Sequence, residues 1–416
     1  MFRDRVLQAV WLNYMPSIIS QPLIRLIKVS ASMRRSAASF SRMLVLSESD
    51  VRRCLPIDLA IAATRKALGE VRSAGDGGAT VPPRIGIPYR REMKSGGNGG
   101  PGDSAEDWTL FKPAAYNPRS LPYSGEAGEQ CNDNESIMGM KLVSVRGGNP
   151  ALGLPTVPAS VMLVDCETGQ MSTLMGGTYL TAARTAAGSA VAADFCIANK
   201  LDRPLHLTVF GAGLQGEMHI EAMRAVRQSI GSITIVNRSA SRANDLVRLM
   251  RAKEGQNRLD PIEIDVVALG DRESVQHAVR RADIICTATN TTTPLFDGAW
   301  VKPGTFLSGV GSYTAFMEEI DSKFIQSRCL VVADTIEALQ VGDLRLISNR
   351  SENFVGLLGD VISGRVSIDL VGENVVNNLD CALFKSVGTA IQDVVTAQEV
   401  YKEAMRTGIG STLDMT

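Results

Sequence analysis

The sequence predicts an α/β fold with a doubly wound parallel sheet, and two observations carry the prediction. The apolar run Pro204–Phe210 leads straight into Gly211-Ala212-Gly213-Leu214-Gln215-Gly216, then into a helical stripe of Met218, Ala222 and Val226. Strand, glycine turn and helix in that order form the unit that cradles a dinucleotide pyrophosphate. Around it strand-like runs alternate with helical ones, at Ser232–Val236, Ile264–Ala268, Asp283–Thr287, Thr305–Val310 and Leu330–Asp334. That alternation is the pattern of parallel strands joined by crossover helices.

In the glycine turn, Gly211 permits the tight bend, Gly213 lets backbone approach the phosphates, and Gly216 lets helix and strand pack closely. The helix N-terminus adds N–H donors and the positive end of a dipole. An ordinary βα turn is the plainer alternative. At the adenosine end, Ser232–Val236 runs into Asn237-Arg238-Ser239, with Arg242 nearby and no carboxylate to meet a ribose 2′-hydroxyl. Arg238 and Arg242 can neutralise a 2′-phosphate, and Asn237 and Ser239 can donate hydrogen bonds to it. This favours NADP(H), with NAD(H) possible; a solvated arginine pair at a helix start is the bland alternative.

Upstream, Met43–Leu46 reads as a strand and Pro56–Ser73 as a helix; Val81–Tyr89 is extended. Residues 94–107 are a Gly-rich polar insertion, and Asn117–Glu135 is irregular. The strand Met138–Val145 follows, then the hairpin Ser160–Asp165 and Gln170–Leu174 around Cys166-Glu167-Thr168-Gly169, and the alanine-rich helix Tyr179–Ala198. An amphipathic helix, Gln392–Arg406, lies near the end.

The 416 residues suggest two or three domains, and 44% hydrophobic content suffices for large cores. With 43 basic against 44 acidic residues, there is no field to hold nucleic acid or an anionic membrane surface. Seven scattered cysteines with no C-x-x-C pair read as reduced core thiols. Three histidines outside any cluster argue against a metal site. Residues 1–42 are rich in arginine and serine with Asp4 the only acid. They read as an organelle transit peptide, or equally as a disordered or misassigned start, so the expected location is cytoplasmic or mitochondrial. Val10–Ile24 is too short and too interrupted by Asn13, Pro16, Gln21 and Pro22 to span a bilayer.

With these residues in place, the chain resembles the ornithine cyclodeaminase/mu-crystallin family from Met43 to Gly410. The likeness rests on Met140-Lys141-Leu142-Val143 with Gly148-Asn149-Pro150 and Gly153-Leu154-Pro155-Thr156, and on Leu180-Thr181-Ala182-Ala183-Arg184-Thr185-Ala186-Ala187. The glycine loop with His219, Val310-Gly311-Ser312-Tyr313 with Glu318, Glu319 and Asp321, and Phe384-Lys385-Ser386-Val387-Gly388 with Asp393 complete it. The resemblance implies a Rossmann domain (196–388) inserted in a second α/β domain (43–195 plus 389–416) that binds substrate and forms a homodimer. It also implies hydride transfer at the α-carbon of a small amino or imino acid.

By the same resemblance, Arg84, Lys141 and Arg184 hold the substrate carboxylate and form the catalytic set. Lys141 stands in a strand and Arg184 is the only charge in the run Ala182–Ala193, so each needs a partner. Lys141, near two arginines, is expected to lose its proton easily and to protonate the developing amine. Thr156, Thr287, Ala288, Thr289, Val310, Gly311 and Val387 are expected along the cofactor, and His219 is read as packed rather than catalytic. One departure matters. Cyclodeaminases of the family carry an aspartate where this chain has Ser312, expected here at the substrate. A serine gives no charge to an ornithinium group, so the resemblance is nearer the mu-crystallin branch of NADPH-dependent ketimine reductases. Reduction of a cyclic imine acid is the first expectation, ornithine cyclodeamination the second, and a non-catalytic NADPH-dependent binding protein the third.

Overall fold

The computed structural model describes residues 42–73, 75, 78–89, 107–117, 136–197, 203–257 (254–257 as backbone only), 262–345, 347, 353–368 and 379–415. The N-terminal extension, the Gly-rich insertion up to residue 106, Cys131 and nearly all of 117–135 lie outside them.

Two sheets organise the chain. The first contains β1 (Arg42–Leu46), β2 (Ala79–Thr80), β3 (Ile85–Tyr89), β4 (Asp107–Tyr116), β5 (Ile137–Val145), β6 (Ala159–Val164), β7 (Met171–Gly176) and β16 (Ser411–Asp414). Its order is β16-β1-β7-β6-β5-β4-β2, with β3 also on β4. The second contains β8 (Leu205–Phe210), β9 (Ile230–Asn237), β10 (Glu263–Ala268), β11 (Ile284–Thr287), β12 (Phe306–Gly309), β13 (Cys329–Ala333), β14 (Phe354–Leu357) and β15 (Cys381–Lys385). It runs β10-β9-β8-β11-β12-β15-β13-β14, and every pairing is parallel. The expected doubly wound sheet is present, with β8 at the point where the winding reverses.

The expected strands are found with ends moved by a few residues. The sequence does not anticipate β2, β4, β14, β15 or β16. β4 is hidden by Pro113, which has no N–H to donate; it sits where the β4 edge passes from pairing with β3 (107–111) to pairing with β2 (115–116). The helix expected over Pro56–Ser73 spans Ile57–Gly69. Cys166 is exposed in its turn and so departs from the core-thiol expectation; Cys54, Cys196, Cys286, Cys329 and Cys381 are buried free thiols.

The helices are α1 (Glu48–Cys54), α2 (Ile57–Gly69), α3 (Thr178–Cys196), α4 (Leu214–Val226), α5 (Ala240–Asn257), α6 (Arg272–Arg281), α7 (Ser322–Arg328), α8 (Leu358–Ile362) and α9 (Ala390–Thr407). α3 is small and apolar nearly all round, as a helix buried on every side must be. Its first half packs in the core of the first sheet and its last residues, Val191–Cys196, in that of the second. Arg184 lies in that first half and is buried. α9 returns across β4, β5 and β6 and brings Asp393 to the same level. No helix among the described residues is long and apolar enough to cross a membrane.

Candidate active site

The glycine turn joins β8 to α4. Gly211 has φ +111° and its N–H bonds to the Val236 carbonyl at 2.9 Å. A Cβ there would lie 2.6 Å from the Ala288 carbonyl oxygen, so glycine is needed where the loops after β8 and β11 touch. A Cβ on Gly216 would run into the Gly211 carbonyl. Gly213 is different: nothing lies within 4 Å of a Cβ built on it. Space over the backbone is open there, where α4 starts and where the N–H groups of Leu214, Gln215 and Gly216 precede the first intrahelical bond, Glu217 N–H to Gly213 O at 3.0 Å. These residues fit a dinucleotide pyrophosphate at the point where Rossmann sheets bind one.

At the end of β9, Asn237 also has contacts within the fold. Asn237 accepts the Ala212 N–H at 3.3 Å and donates to the Ser239 carbonyl at 2.9 Å. Its amide therefore holds the glycine loop to the end of β9 and keeps one Nδ2 hydrogen beyond these two bonds. The Ser239 hydroxyl caps α5 by accepting the Arg242 N–H at 3.4 Å. Arg238 and Arg242 are exposed, and neither has a carboxylate partner among the described residues.

Beneath the loops after β11 and β12 lies a buried polar floor. Glu319 accepts from the Thr287 hydroxyl (2.9 Å), the Thr289 N–H and hydroxyl (2.6 and 2.7 Å) and the Gly311 N–H (2.7 Å). One carboxylate thus ties the loop after β11 to the loop after β12. Burial raises its pKa, and Asp343 adds to the rise. Asp343 accepts the Glu319 N–H at 2.7 Å, pairs with Lys385 at 3.0 Å and is hydrogen-bonded by the Ser312 hydroxyl. Lys385 also donates to Ser312 at 2.5 Å. Burial opposes the charge of Asp343, but Lys385 and these donors hold its pKa below the usual range. Ser312, expected at the substrate, is fully buried with its hydroxyl bound inside this cluster.

The carboxylate cradle gathers around Asp393. Lys141 Nζ lies 2.6 Å and Arg184 Nε 2.8 Å from Asp393 Oδ1. Lys141 also reaches the Thr181 hydroxyl at 3.4 Å, and Arg184 reaches Gln392 Oε1 at 3.5 Å. Among the described residues Asp393 Oδ2 has no hydrogen-bond partner; Lys112 Nζ is 3.9 Å away and donates instead to the Gly388 carbonyl at 2.9 Å. Burial works against the charge of Asp393, yet Arg184, Lys141 and Lys112 hold its pKa down at about 2. Burial, reinforced by Arg184, drives Lys141 well below the ordinary lysine value.

A short turn joins the floor to the cradle. Lys385 ends β15, and Asp334 then accepts the Ser386 hydroxyl (2.9 Å) and the N–H groups of Val387 (3.0 Å) and Gly388 (2.7 Å). Gly388 has φ +78°, and a Cβ on it would stand 2.6 Å from Arg184 Nη1. Arg84, half-buried, lines a cavity with Lys112, Gly388, Thr335 and Glu337.

The structure therefore brings Arg84, Lys141 and Arg184 to one end of the cleft, and Thr287, Thr289 and Gly311 to the floor. Ala288 touches the glycine loop, and Val310 donates its N–H to the Thr287 carbonyl at 3.0 Å. Thr156 sits in an exposed loop, its carbonyl accepting the Arg146 N–H. His219 is buried between Ser189 (3.0 Å) and the Gln215 carbonyl (2.7 Å), with burial lowering its pKa to about 4, as expected of a packed neutral residue. Sequence reasoning missed Lys112 and Asp343. A lysine flanked by Phe111 and Pro113 was the available signal for the first; Asp343 gave none.

Comparison with known proteins agrees with this architecture. The profile of the Ornithine cyclodeaminase/mu-crystallin family matches residues 130–408. An uncharacterized cyclodeaminase from Dictyostelium discoideum is 32% identical over 68% of this chain and 79% of its own. A Delta(1)-pyrroline-2-carboxylate reductase from Bacillus cereus is 30% identical over 71% of this chain and 87% of its own. The solved Delta(1)-pyrroline-2-carboxylate reductase of Thermococcus litoralis, in complex with NADH and L-proline, aligns with a TM-score of 0.69 at 26% identity, over 89% of this chain and 99% of its own. Fold, glycine loop and family profile together place the chain in the ornithine cyclodeaminase/mu-crystallin family.

Proposed function

We propose that this protein is an oxidoreductase that uses NADPH to reduce a small cyclic ketimine acid, of the pyrroline-2-carboxylate or piperideine-2-carboxylate kind. The observation that carries the reading is the cation surplus around Asp393: Lys112, Lys141 and Arg184 share one buried carboxylate, and Arg84 stands in the adjoining wall. An α-carboxylate is the anion such a cradle suits, and Arg184 retains Nη2, which has no acceptor among the described residues, to meet it. Held there, the imine carbon faces the nicotinamide end, and positioning supplies much of the rate. The nicotinamide, when bound, supplies the hydride; the chain orients the acid, excludes water and furnishes a proton.

The reductase names of the bacterial and archaeal relatives support this reading. Preference for NADPH rests on exposed, carboxylate-free Arg238 and Arg242 and on the lack of an acid at the end of β9. Cyclodeamination is the weaker reading because Ser312 is uncharged and its hydroxyl is engaged with Asp343 and Lys385. The outward face of the first sheet, with Met138, Leu142, Leu174 and Leu413 exposed, suits a homodimer interface. The test is NADPH oxidation by purified protein across a panel of cyclic imine acids. Turnover with NADPH favoured over NADH is expected; an inert panel sinks the reading.

A further inference from the structure

We propose that Lys112, rather than Lys141, donates the proton to the imine nitrogen, with Lys141 and Asp393 setting the field in which it does so. The inference rests on the imine-reductase reading and concerns which of two buried lysines meets the substrate.

Lys112 on β4 and Lys141 on β5 are direct cross-strand partners, so their Cβ atoms stand about 5 Å apart on one face. Their surroundings differ. Lys141 is 1% exposed, and its ammonium is taken by Asp393 and Thr181. Lys112 forms part of the cavity wall with Arg84 and Gly388. Among the described residues its one hydrogen bond is to the Gly388 carbonyl, which leaves two of the three ammonium donors for a ligand. Of the cations at this end, the arginines cannot give up a proton in the working range.

The charges facing Lys112 come from every side: Lys141 on β5, Arg184 on α3, Asp393 on α9, Arg84 ahead of β3, and Asp334 and Glu337 beyond β13. Releasing a proton from Lys112 relieves its repulsion from Arg184 and Arg84. Burial, aided by Arg184 and Arg84 against Asp393, brings its pKa down to about 8.

The step balances. Hydride arriving at the imine carbon drives the C=N π pair onto nitrogen. That pair takes a proton from Lys112 Nζ, forming the product N–H bond; the broken Nζ–H bond leaves its electrons on a neutral amine, which water reprotonates.

The test compares wild type, Lys112→Arg and Lys112→Met by kcat and KM from neutral to alkaline pH, with NADPH binding and thermal melting checked for each. A general acid must be protonated, so wild-type kcat should fall as pH rises through about 8. Lys112→Arg keeps the charge but cannot donate. It should hold KM within about threefold, lose kcat by roughly a hundredfold or more and lose the alkaline limb. Lys112→Met should lose kcat similarly and raise KM. Retention of both kcat and limb in Lys112→Arg would overturn the proposal and leave the imine-reductase reading standing. No wild-type turnover on any imine would remove both. If the variants fail to fold, the wild-type limb decides: one at the same pH for every imine supports Lys112, and one that tracks each imine's own nitrogen overturns it.

Discussion

Two buried charge clusters flank the cleft, and they are built on opposite plans. In the floor, Glu319 and Asp343 outnumber Lys385, and their oxygens are met by hydroxyls and backbone N–H groups. In the cradle, basic side chains outnumber the carboxylate, and among the described residues Asp393 Oδ2 has no hydrogen-bond partner. A satisfied network fixes geometry, whereas an unsatisfied one with excess charge is poised for a counter-ion. The floor holds the loops after β11 and β12 in place; on the proposed reading the cradle is left for an anion. The turn Ser386–Gly388, held by Asp334, keeps the two in register.

The largest effect is expected from Asp393→Asn. It removes the carboxylate that, among the described residues, alone pairs with three buried basic side chains, and loss of a buried partner costs about 3–5 kcal/mol. Urea unfolding should show the drop. The pH dependence has a definite sign. The folded pKa of Asp393 is depressed to about 2, so its stabilisation is complete above the ordinary carboxylate range and is lost as pH falls toward 2. A variant as stable as wild type at neutral pH would deny the cradle its assigned electrostatics.

Glu319→Gln should cost less, about 1–3 kcal/mol, because one amide oxygen replaces two acceptors and an NH2 group then faces donors. It should weaken dinucleotide binding, measured by quenching of intrinsic fluorescence, while the KM for imine changes little. If the imine KM moves more than cofactor affinity, floor and cradle are not separable in the way proposed. The smallest effect on stability belongs to Asn237→Asp. The new side chain keeps the Ala212 contact, loses the donor to Ser239 and sets a negative charge beside Arg238. The NADPH/NADH ratio of kcat/KM should fall by roughly tenfold, about 1.4 kcal/mol; an unchanged ratio would remove Asn237 from cofactor selection.

How much of this the sequence disclosed depended on contrast with the surroundings. The second sheet was legible because strand and helix periods alternate, and Gly211–Gly216 marks its first crossover. Lys141 and Arg184 stood out as charges in a strand and in a run of small residues. Their partner Asp393 could be quoted only as part of a motif, because a carboxylate on an amphipathic helix looks ordinary until that face is seen to be buried. Lys112 was lost with β4, which Pro113 disguised. Ser312 was read as facing substrate because no local pattern reveals that Asp343, over 30 residues away in sequence, claims its hydroxyl.

The central claim is that hydride passes from bound NADPH to the α-carbon of a cyclic imine acid held in the cradle. The direct measurement uses NADPH carrying deuterium at the transferring position, a piperideine-2-carboxylate or pyrroline-2-carboxylate substrate, and mass spectrometry of the amino acid formed. The account predicts one deuterium at the α-carbon for each NADPH oxidised. An amino acid product without deuterium, or formation of a cyclic amino acid and ammonia from ornithine with no added cofactor consumed, would contradict it.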